Sequence, residues 1–291
     1  MSGVPLLEVE DLSVTFPSRS GPVRAVRQVG FKLGRERLGI VGESGSGKTT
    51  VGRAILGLLP QSAKIAARRL ELDGGDLLAL SPRQRRAIRG KRISMVMQDA
   101  KYSLNPVMRV GDQIAEAYTI HTDASRGAAR AKALETMRAV RIRDPEIVYD
   151  LYPHQVSGGM GQRIMIAEML VAEPELLIAD EPTSALDVTV QLQVLAIIDQ
   201  LIAKRGMGLI FISHNLNLVA SFCDRVLIMY GGRVLETCPA SALHQAQHPY
   251  TRGLLASLPR IVGGRHRLPV LTRDPCWLED AAIPSAQMAP P

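Results

Sequence analysis

Eight consecutive residues near the start of the chain have the types and spacing of a phosphate-binding loop. The run matches the pattern G-x-x-x-x-G-K-[ST] in full: Gly42, Glu43, Ser44, Gly45, Ser46, Gly47, Lys48 and Thr49. The glycines allow backbone N–H groups to converge on phosphate oxygens. We expect Lys48 to contact the β- and γ-phosphates, the Thr49 hydroxyl to ligate Mg²⁺, and Thr50 to add a nucleotide contact. The alternative is a tight turn that is rich in glycine by chance.

Two adjacent acids end an apolar stretch later in the chain. Asp180 and Glu181 follow the run Leu176–Ala179 and precede Pro182. The first acid at such a position typically holds Mg²⁺, directly or through water, and the second can act as general base on an attacking water. We therefore assign Asp180 to the metal and Glu181 to catalysis. A solvated acidic turn is the alternative.

A Ser-Gly-Gly turn precedes another apolar helical run. Ser157, Gly158 and Gly159 come before the predicted helix Ile164–Val171. Ser157 can cap this helix, and the exposed N–H groups at a helix start also attract phosphate, so the two roles are compatible. One chain cannot easily bring two separate phosphate-facing surfaces to the same ATP. The pattern therefore points to a dimer that closes on nucleotide.

The elements that must position these residues alternate between strands and helices. The predicted strand Arg37–Val41 enters the glycine loop and the helix Lys48–Leu59 leaves it, which is the opening of a parallel α/β sheet. Alternating polar and apolar residues predict strands at Leu6–Phe16 and Val23–Leu33. The later elements are predicted in this order: strand Leu176–Ala179, helix Val188–Lys204, strand Gly208–Ile212, helix Leu216–Cys223, strand Arg225–Tyr230 and hairpin strand Val234–Thr237.

The middle and the end of the chain do not show this alternation of strands and helices. Ala, Arg, Glu and Met at helical spacing over Ser125–Val140 predict a mainly helical subdomain, about residues 99–171, inserted in the sheet domain. We expect one large domain over residues 1–258. Residues 259–291 are rich in Pro and Gly, which predicts an irregular tail, disordered at its end.

Composition favours a globular protein with a full core. The 291 residues are 46% hydrophobic and 22% charged. The longest uncharged stretch, Gly206–Cys223, contains Ser, His and Asn, which argues against a membrane span. The start, MSGVPLLEVEDL, has acids where a signal peptide needs basic and apolar residues, so we expect a cytosolic chain. The cysteines Cys223, Cys238 and Cys276 lack CxxC spacing and predict no disulfide framework.

The net charge of +7 is compatible with nucleic acid, anionic lipid or phosphate ligands. Basic residues cluster in one segment: Arg83, Arg85, Arg86, Arg89, Lys91 and Arg92. No aromatic residue interleaves them, and aromatic residues make up only 4% of the chain, so stacking on bases is poorly supported. We interpret the cluster as a solvated helix face and expect no nucleic-acid partner.

The order of the motifs narrows the function. After the phosphate loop come Gln98-Asp99, Ser157–Arg163, Leu176–Pro182, Ser184–Asp187 and Ser213-His214. This series resembles the nucleotide-binding subunit of an ABC transporter, over about residues 7–259. The resemblance implies an α/β fold: a P-loop NTPase core with a mainly parallel sheet, an antiparallel β subdomain and an inserted α-helical subdomain.

The resemblance also implies roles that the residues alone do not. Gln98 would correspond to the Q-loop, which links the metal and the attacking water to the helical subdomain. His214 would be the switch histidine that senses the γ-phosphate. Phe16 would pack on the adenine ring, although a core aromatic on the first strand is a serious alternative.

The signature and the D-loop are expected to face nucleotide held by a second subunit. Ser157 and Gly159 would face the γ-phosphate on the partner's phosphate loop. Gly158, Gln162 and Asp187 are the further nucleotide-binding candidates in these two motifs.

Four segments resemble, more narrowly, the dipeptide/oligopeptide/nickel importer group of ABC ATPases. They are Gln98–Pro106, Leu151–Arg163, Glu181–Gln191 and His248–Pro259, the last of which lies outside the catalytic motifs. The group implies ATP hydrolysis coupled to uptake of a small peptide or related solute, with ATP and Mg²⁺ as cofactors. Implied partners are two transmembrane permease subunits, a second and non-identical ATPase, and an extracytoplasmic solute-binding protein. The chain would then lie on the cytoplasmic face of the inner (plasma) membrane.

The chain departs from the group at several positions. Ala100 stands where Pro is common, Met160 where Gln is more frequent, and Asn215 where Asp is frequent. The tail holds only Cys276, one ligand of the several that an iron–sulfur cluster needs, so we expect no cluster. The alternative function is a soluble ABC-type ATPase that acts on nucleic acid or the ribosome. Such factors usually carry two nucleotide domains, and this chain has a single phosphate loop.

Overall fold

The computed structural model describes residues 4–97, 103–183, 186–257 and 274–278. The chain divides into two compact units, which we describe separately. The first combines residues 1–78 with residues 211–291, and the second is the continuous stretch 79–210.

The strands are, in chain order, β1 (Leu7–Phe16), β2 (Val23–Leu33), β3 (Arg37–Val41), β4 (Lys64–Ala66), β5 (Arg69–Leu72), β6 (Gly75–Asp76), β7 (Ile93–Val96), β8 (Leu176–Asp180), β9 (Gly208–Ser213), β10 (Arg225–Tyr230) and β11 (Arg233–Pro239). The α-helices of the described ranges are α1 (Lys48–Ile55), α2 (Pro82–Ile88), α3 (Val110–Thr119), α4 (Arg126–Ala139), α5 (Pro145–Tyr149), α6 (Gly158–Leu170), α7 (Val188–Arg205), α8 (Leu216–Phe222) and α9 (Pro249–Ala256). Short 3₁₀ helices cover Pro153–Gln155, Ala240–Gln245 and Pro275–Leu278.

The first unit contains an antiparallel sheet with the strand order β2-β1-β5-β6, and β4 also pairs with β1. The core side of β1 is formed by every second residue over its first half, where Leu7 and Val9 are fully buried. Register shifts then interrupt its pairing with β2. Asp11 and Gln28, on these two strands, have left-handed φ values of 54° and 51°. The sheet therefore bends where the bulges lie.

A parallel pair of strands in the same unit leads to the phosphate loop. β3 pairs in parallel with β10, with Leu38 opposite Arg225, and β10 continues through a two-glycine turn into antiparallel β11. All but the first residue of β3 are buried, as expected for a strand covered on both faces. The carboxylate of Asp224 accepts hydrogen bonds from the backbone N–H and the guanidinium of Arg37, at 2.8 and 2.9 Å. These bonds fix the start of β3.

The second unit is mainly helical. Its core includes the fully buried side chains of Ile114 (α3), Ala133 and Met137 (α4) and Ile164 (α6). The Ser125 hydroxyl accepts a hydrogen bond from the N–H of Ala128, which explains why α4 begins here. β7 and β8 form a parallel pair in which every residue is buried.

The predicted strands Val23–Leu33, Arg37–Val41 and Arg225–Tyr230 have the same bounds in the structure. The helix after the loop ends at Ile55 rather than at Leu59. Gly57, with φ +62°, donates its N–H to the carbonyl of Ala54 and turns the chain out of the helix.

Other elements also differ from the prediction. α6 begins at Gly158, six residues before the predicted start, because Ser157 caps it. Short strands of the antiparallel sheet (β4, β5 and β6), α2 and β7 were not predicted individually. Most of the predicted tail lies outside the described residues, and its described part, residues 274–278, contains a 3₁₀ helix.

Candidate functional site

The phosphate loop connects β3 to α1, and close approach requires glycine at two of its positions. A Cβ atom on Gly42 would lie 2.1 Å from the carbonyl oxygen of Met229. Gly47 has φ +96°, and a Cβ there would lie 2.4 Å from the carbonyl oxygen of Ala25. In both cases the neighbour is backbone and cannot move aside easily. The loop is therefore fixed by β2 and by the end of β10.

Lys48 lies against this loop, and only 6% of it is exposed. Its Nζ donates hydrogen bonds to the carbonyl oxygens of Gly42 and Glu43, at 2.8 Å each. The Ser46 hydroxyl lies 3.4 Å from the same nitrogen. The loop therefore holds the ammonium group in place by its own carbonyls.

The tip of the loop is accessible. Ser44 and Gly45 are exposed, and Thr49 and Thr50 are half-buried in the first turn of α1. Gly47, at the N-cap position, offers no side chain to the N–H groups of that turn. A helix start of this kind suits an anionic ligand such as phosphate.

Two further candidates of the first unit lie at strand ends. Phe16 is the last residue of β1, pairs with Val23 and is half-buried. His214 directly follows β9 and is exposed. Asn215 then caps α8, because its side-chain oxygen accepts a hydrogen bond from the N–H of Leu218 at 3.1 Å. Asn and Asp are equally good caps, so α8 can begin at the same position although the family more often has Asp here.

In the second unit, Asp180 is the last residue of β8 and Glu181 follows it directly. Asp180 is 6% exposed, while Glu181 is half-buried. Glu181 has φ +47°, in the left-handed region that non-glycine residues seldom adopt. Such a backbone costs about 1–3 kcal/mol and is found most often at functional sites. The predicted general base therefore has a strained backbone conformation.

The predicted signature residues form the start of α6. The Ser157 hydroxyl accepts a hydrogen bond from the N–H of Met160 at 3.3 Å and so caps the helix. Gly158 and Gly159 lie in its first turn, and Ser157 and Gly158 are exposed. The observed cap leaves the second predicted role, anion binding at this helix start, available.

Two contacts join α6 to the segment that follows the acid pair. The side-chain amide of Gln162 donates a hydrogen bond to the carbonyl oxygen of Pro182. A Cβ on Gly159 would lie 2.9 Å from Cγ1 of Val190, in the first turn of α7. The structure therefore brings the signature residues of the second unit close to the chain that leaves Glu181.

Asp187, the described residue at the end of the predicted D-loop, is exposed and caps α7. Its Oδ1 accepts hydrogen bonds from the N–H groups of Thr189 and Val190, at 3.0 Å each. The first two residues of that loop, Ser184 and Ala185, lie outside the described residues, as does Gln98. The Q-loop assignment accordingly stays a prediction.

One residue beside the phosphate loop was not among the sequence candidates. Tyr250, in α9, is fully buried, and its hydroxyl oxygen accepts a hydrogen bond from the N–H of Glu43 at 3.2 Å. In the sequence, the segment His248–Pro259 is a feature only of the importer group that the chain resembles. The two partners lie 207 residues apart, and no local pattern records such a contact.

Two predicted metal ligands, one in each unit, carry oxygen atoms of the kind that Mg²⁺ prefers. Within the described ranges, no group of three or more His, Cys, Asp or Glu residues could hold a metal ion. Mg²⁺ needs only one or two protein ligands when phosphate and water complete its shell. The Thr49 hydroxyl and the Asp180 carboxylate offer oxygen ligands of the required kind.

Comparison with known proteins decides the family. Residues 26–184, more than half of the chain, match the family model described as ABC transporter. The chain belongs to the ABC transporter family. Among curated relatives, a probable peptide ABC transporter ATP-binding protein of Sinorhizobium fredii is 50% identical over 268 residues, which cover 91% of this chain and 80% of the relative. The dipeptide transport ATP-binding protein DppD of Escherichia coli is 44% identical over 265 residues, 90% of this chain and 81% of the relative.

Solved structures of ABC cassettes share the fold. A dimeric ATP-binding cassette in a post-hydrolysis state, bound to ADP and Pi, superposes with a TM-score of 0.71 at 23% identity and covers 80% of this chain and 98% of that one. The protein cbiO1 from Clostridium perfringens gives 0.70 at 24% identity, with 84% and 92% covered. The predicted P-loop α/β fold and the predicted ABC-type ATPase are confirmed. No helix within the described parts of this family member is long and apolar enough to span a bilayer.

Proposed function

We propose that this chain is the ATP-hydrolysing subunit of an ABC importer that takes up a small peptide or a related solute. The cargo class is supported by one observation: relatives that are 50% and 44% identical over about nine tenths of the chain are named as ATP-binding proteins of peptide or dipeptide transport. Neither the family nor these relatives support the alternative of a factor acting on nucleic acid or the ribosome.

The phosphate loop is the proposed ATP site. The buried Lys48 ammonium balances phosphate charge, and the N–H groups of the loop and of the first turn of α1 donate to phosphate oxygens. Phe16 contacts the adenine ring. Thr49 and Asp180 would hold Mg²⁺, which neutralises part of the phosphate charge when it is bound.

We assign hydrolysis to three residues: Glu181, His214 and Gln98. Glu181 accepts a proton from the attacking water as general base. His214 hydrogen-bonds the γ-phosphate, and Gln98 orients the water. The backbone of Glu181 lies in the left-handed region, a strained conformation of the kind found at functional sites.

The signature is proposed to act on nucleotide held by a second ATPase subunit, which we expect to be non-identical. Ser157 and Gly158 are exposed at the start of α6, and Gly159 lies beside them in its first turn. Gln162 and Asp187 hydrogen-bond to neighbouring backbone groups. ATP binding then closes the pair of subunits and hydrolysis reopens it.

The wider assembly follows from the same proposal. Two transmembrane permeases receive the motion through the helical segment 99–171, and an extracytoplasmic binding protein delivers the solute. The chain would act on the cytoplasmic face of the inner membrane. We further propose residues 1–258 as the ATPase domain and residues 259–291 as an appended tail.

The catalytic assignment is tested with two purified variants. Glu181→Gln is expected to bind ATP normally and to lose at least about 100-fold in turnover, because a general base commonly contributes that much. Lys48→Ala is expected to lose nucleotide affinity. Glu135→Gln, at an exposed position of α4, is the matched control and should behave as wild type. If Glu181→Gln hydrolyses ATP at the wild-type rate, the general-base assignment is wrong.

The cargo is tested in vesicles that contain the complete transporter. Labelled di- and oligopeptides are added with the binding protein, and uptake should depend on ATP and disappear with Glu181→Gln. Stimulation of the ATPase by another solute, with no uptake of any peptide, would leave the ATPase assignment intact and remove the peptide assignment.

A further inference from the structure

A side chain from the C-terminal part of the first unit contacts the phosphate loop. Tyr250 is fully buried in α9, and its hydroxyl oxygen accepts a hydrogen bond from the N–H of Glu43 at 3.2 Å. The carbonyl of the same peptide unit, that of Gly42, accepts a hydrogen bond from the Nζ of Lys48 at 2.8 Å. One peptide plane of the loop is therefore held at its N–H end by Tyr250 and at its carbonyl end by Lys48.

The ring of Tyr250 is held in an aromatic cluster of four residues: Tyr230, His248, Tyr250 and Trp277. Tyr250 lies 4.7 Å from the ring of Tyr230 and 5.8 Å from the ring of Trp277, centroid to centroid. Trp277 also meets Tyr230 and His248 edge-on, at 5.9 and 5.7 Å. Such packing restricts the ring and so fixes the position of its hydroxyl.

The backbone before Tyr250 is fixed as well. The carboxylate of Glu236, in β11, accepts hydrogen bonds from the N–H groups of Gln247 and His248, at 2.7 and 3.3 Å. The Nδ1 atom of His248 then accepts one from the N–H of Tyr250 at 3.1 Å. Hydrogen bonds therefore connect β11 to α9, and α9 to the loop.

We propose that Tyr250 is a positioning residue for nucleotide: it fixes the Gly42–Glu43 peptide and thereby the ammonium group of Lys48, and Trp277 holds the Tyr250 ring in place. This inference rests on the proposed role of the loop as the ATP site. Without the phenol oxygen, the peptide plane can rotate and carry the Gly42 carbonyl away from Lys48. Part of the binding energy of ATP must then restore the loop geometry, which weakens binding.

The test uses the full-length chain with the Tyr250→Phe substitution, which removes the hydroxyl and keeps the ring. A fluorescent ATP analogue with Mg²⁺ gives the Kd, and steady-state hydrolysis gives KM and kcat. One lost hydrogen bond predicts a rise of about 3- to 10-fold in Kd and KM. The value of kcat should stay within about twofold of wild type.

Tyr230→Phe is the matched control. It removes a hydroxyl from the neighbouring ring and leaves the hydrogen bond from Glu43 to Tyr250 intact, so KM should be unchanged. The contribution of Trp277 is tested by Trp277→Ala, which should raise KM, and by Trp277→Phe, which should restore most of the wild-type value.

A purely structural role gives a different result. Partial unfolding lowers the active fraction, and with it kcat, but leaves KM of the folded molecules unchanged. A Tyr250→Phe protein with lowered kcat and wild-type KM therefore overturns the inference, as does one with no change at all. Lys48→Ala separates this failure from that of the proposed function. If Lys48→Ala also binds nucleotide as wild type does, the loop is not the ATP site.

Discussion

The side chain of Gln162 donates a hydrogen bond to the carbonyl oxygen of Pro182, the residue directly after Glu181. Both residues are buried, and 4% of Gln162 is exposed. The predicted signature helix is thereby joined to the residue that follows the proposed general base. A substitution of Gln162 should therefore lower the rate of ATP hydrolysis, because it alters the backbone next to Glu181.

Gln162→Glu should destabilise the protein and slow ATP turnover. A carboxylate cannot donate to the Pro182 carbonyl, so two buried acceptors would face each other at a cost of about 1–3 kcal/mol. Urea unfolding and steady-state ATPase rates measure the two effects. Gln162→Met, which has no oxygen to oppose the carbonyl, should be less destabilised. Identical unfolding midpoints for wild type and Gln162→Glu would contradict this account.

Glu181→Gly should be more stable than Glu181→Gln although both lose hydrolysis. Glycine adopts the observed φ of +47° without the penalty of a Cβ. After the entropic cost of glycine in the unfolded chain, the expected gain is about 1 kcal/mol. Thermal unfolding of the two variants without nucleotide tests this. A lower melting temperature for Glu181→Gly would show that the backbone of Glu181 is not strained.

Gly158→Ala and Gly159→Ala should have opposite effects on stability. Both positions lie in the first turn of α6, where alanine gains about 0.5–1 kcal/mol over glycine. No atom lies within 4 Å of a Cβ at position 158, but at position 159 it would meet Cγ1 of Val190 at 2.9 Å. Chemical unfolding should show Gly158→Ala stabilised and Gly159→Ala destabilised. Adding Val190→Ala to Gly159→Ala should remove the clash and restore stability.

Stability should fall as the pH drops below about 6.5, in part through His248. Its Nδ1 is an acceptor, and burial lowers the pKa of His248 from its usual 6.5, with partial opposition from Glu236. The unfolded chain therefore takes up the proton at a higher pH than the folded protein does. The stability contributed by neutral His248 is complete above pH 6.5 and is lost below it.

His248→Asn isolates that contribution. Asparagine keeps a cap acceptor but does not titrate, so the variant should lose less stability than wild type between pH 7 and pH 5. Unfolding by urea across this range is the measurement, with His244→Asn as the control at an exposed histidine. Parallel pH profiles for wild type and His248→Asn would exclude this role.

Glu168→Gln should stabilise the protein most at alkaline pH. The Oε2 atom of Glu168 is buried and has no hydrogen-bond partner among the described residues. Burial, helped by the charge of Glu116, raises the pKa of the Glu168 carboxyl to about 7. The folded state therefore favours the protonated acid, and this stability is complete below about pH 4.5 and lost as the pH rises through 7. We expect a gain on the order of 1–3 kcal/mol at pH 8 and a smaller one at pH 5. Equal gains at both pH values would contradict the raised pKa.

The parts of the molecule that sequence predicts well are local. The bounds of β3 and the start of α1 follow from apolar residues next to a glycine loop. Ser125 and Asp187 are residue types that favour the N-cap position, and each caps a helix. The order of motifs along the chain was enough to indicate the family.

The contacts that sequence does not predict depend on packing between distant segments. The contact of Gly159 with Val190 and the bond from Gln162 to Pro182 exist only once α6 and α7 are in place. The strands β4 and β6 have three and two residues, too few to show any periodicity. The sequence marks Tyr250 only as part of the segment His248–Pro259, because its contact with Glu43 joins residues 207 positions apart.

That distance has a consequence for how the protein is made. The partners Arg37 and Asp224 lie 187 residues apart, and Glu43 and Tyr250 lie 207 apart. At about 5–20 residues per second, the ribosome releases the residues that complete the phosphate loop roughly 10–40 seconds after the loop itself. A nascent chain therefore contains the predicted nucleotide-binding residues long before the contacts that fix the loop can form. ATP is expected to protect newly made chains from proteolysis only once synthesis has passed residue 250.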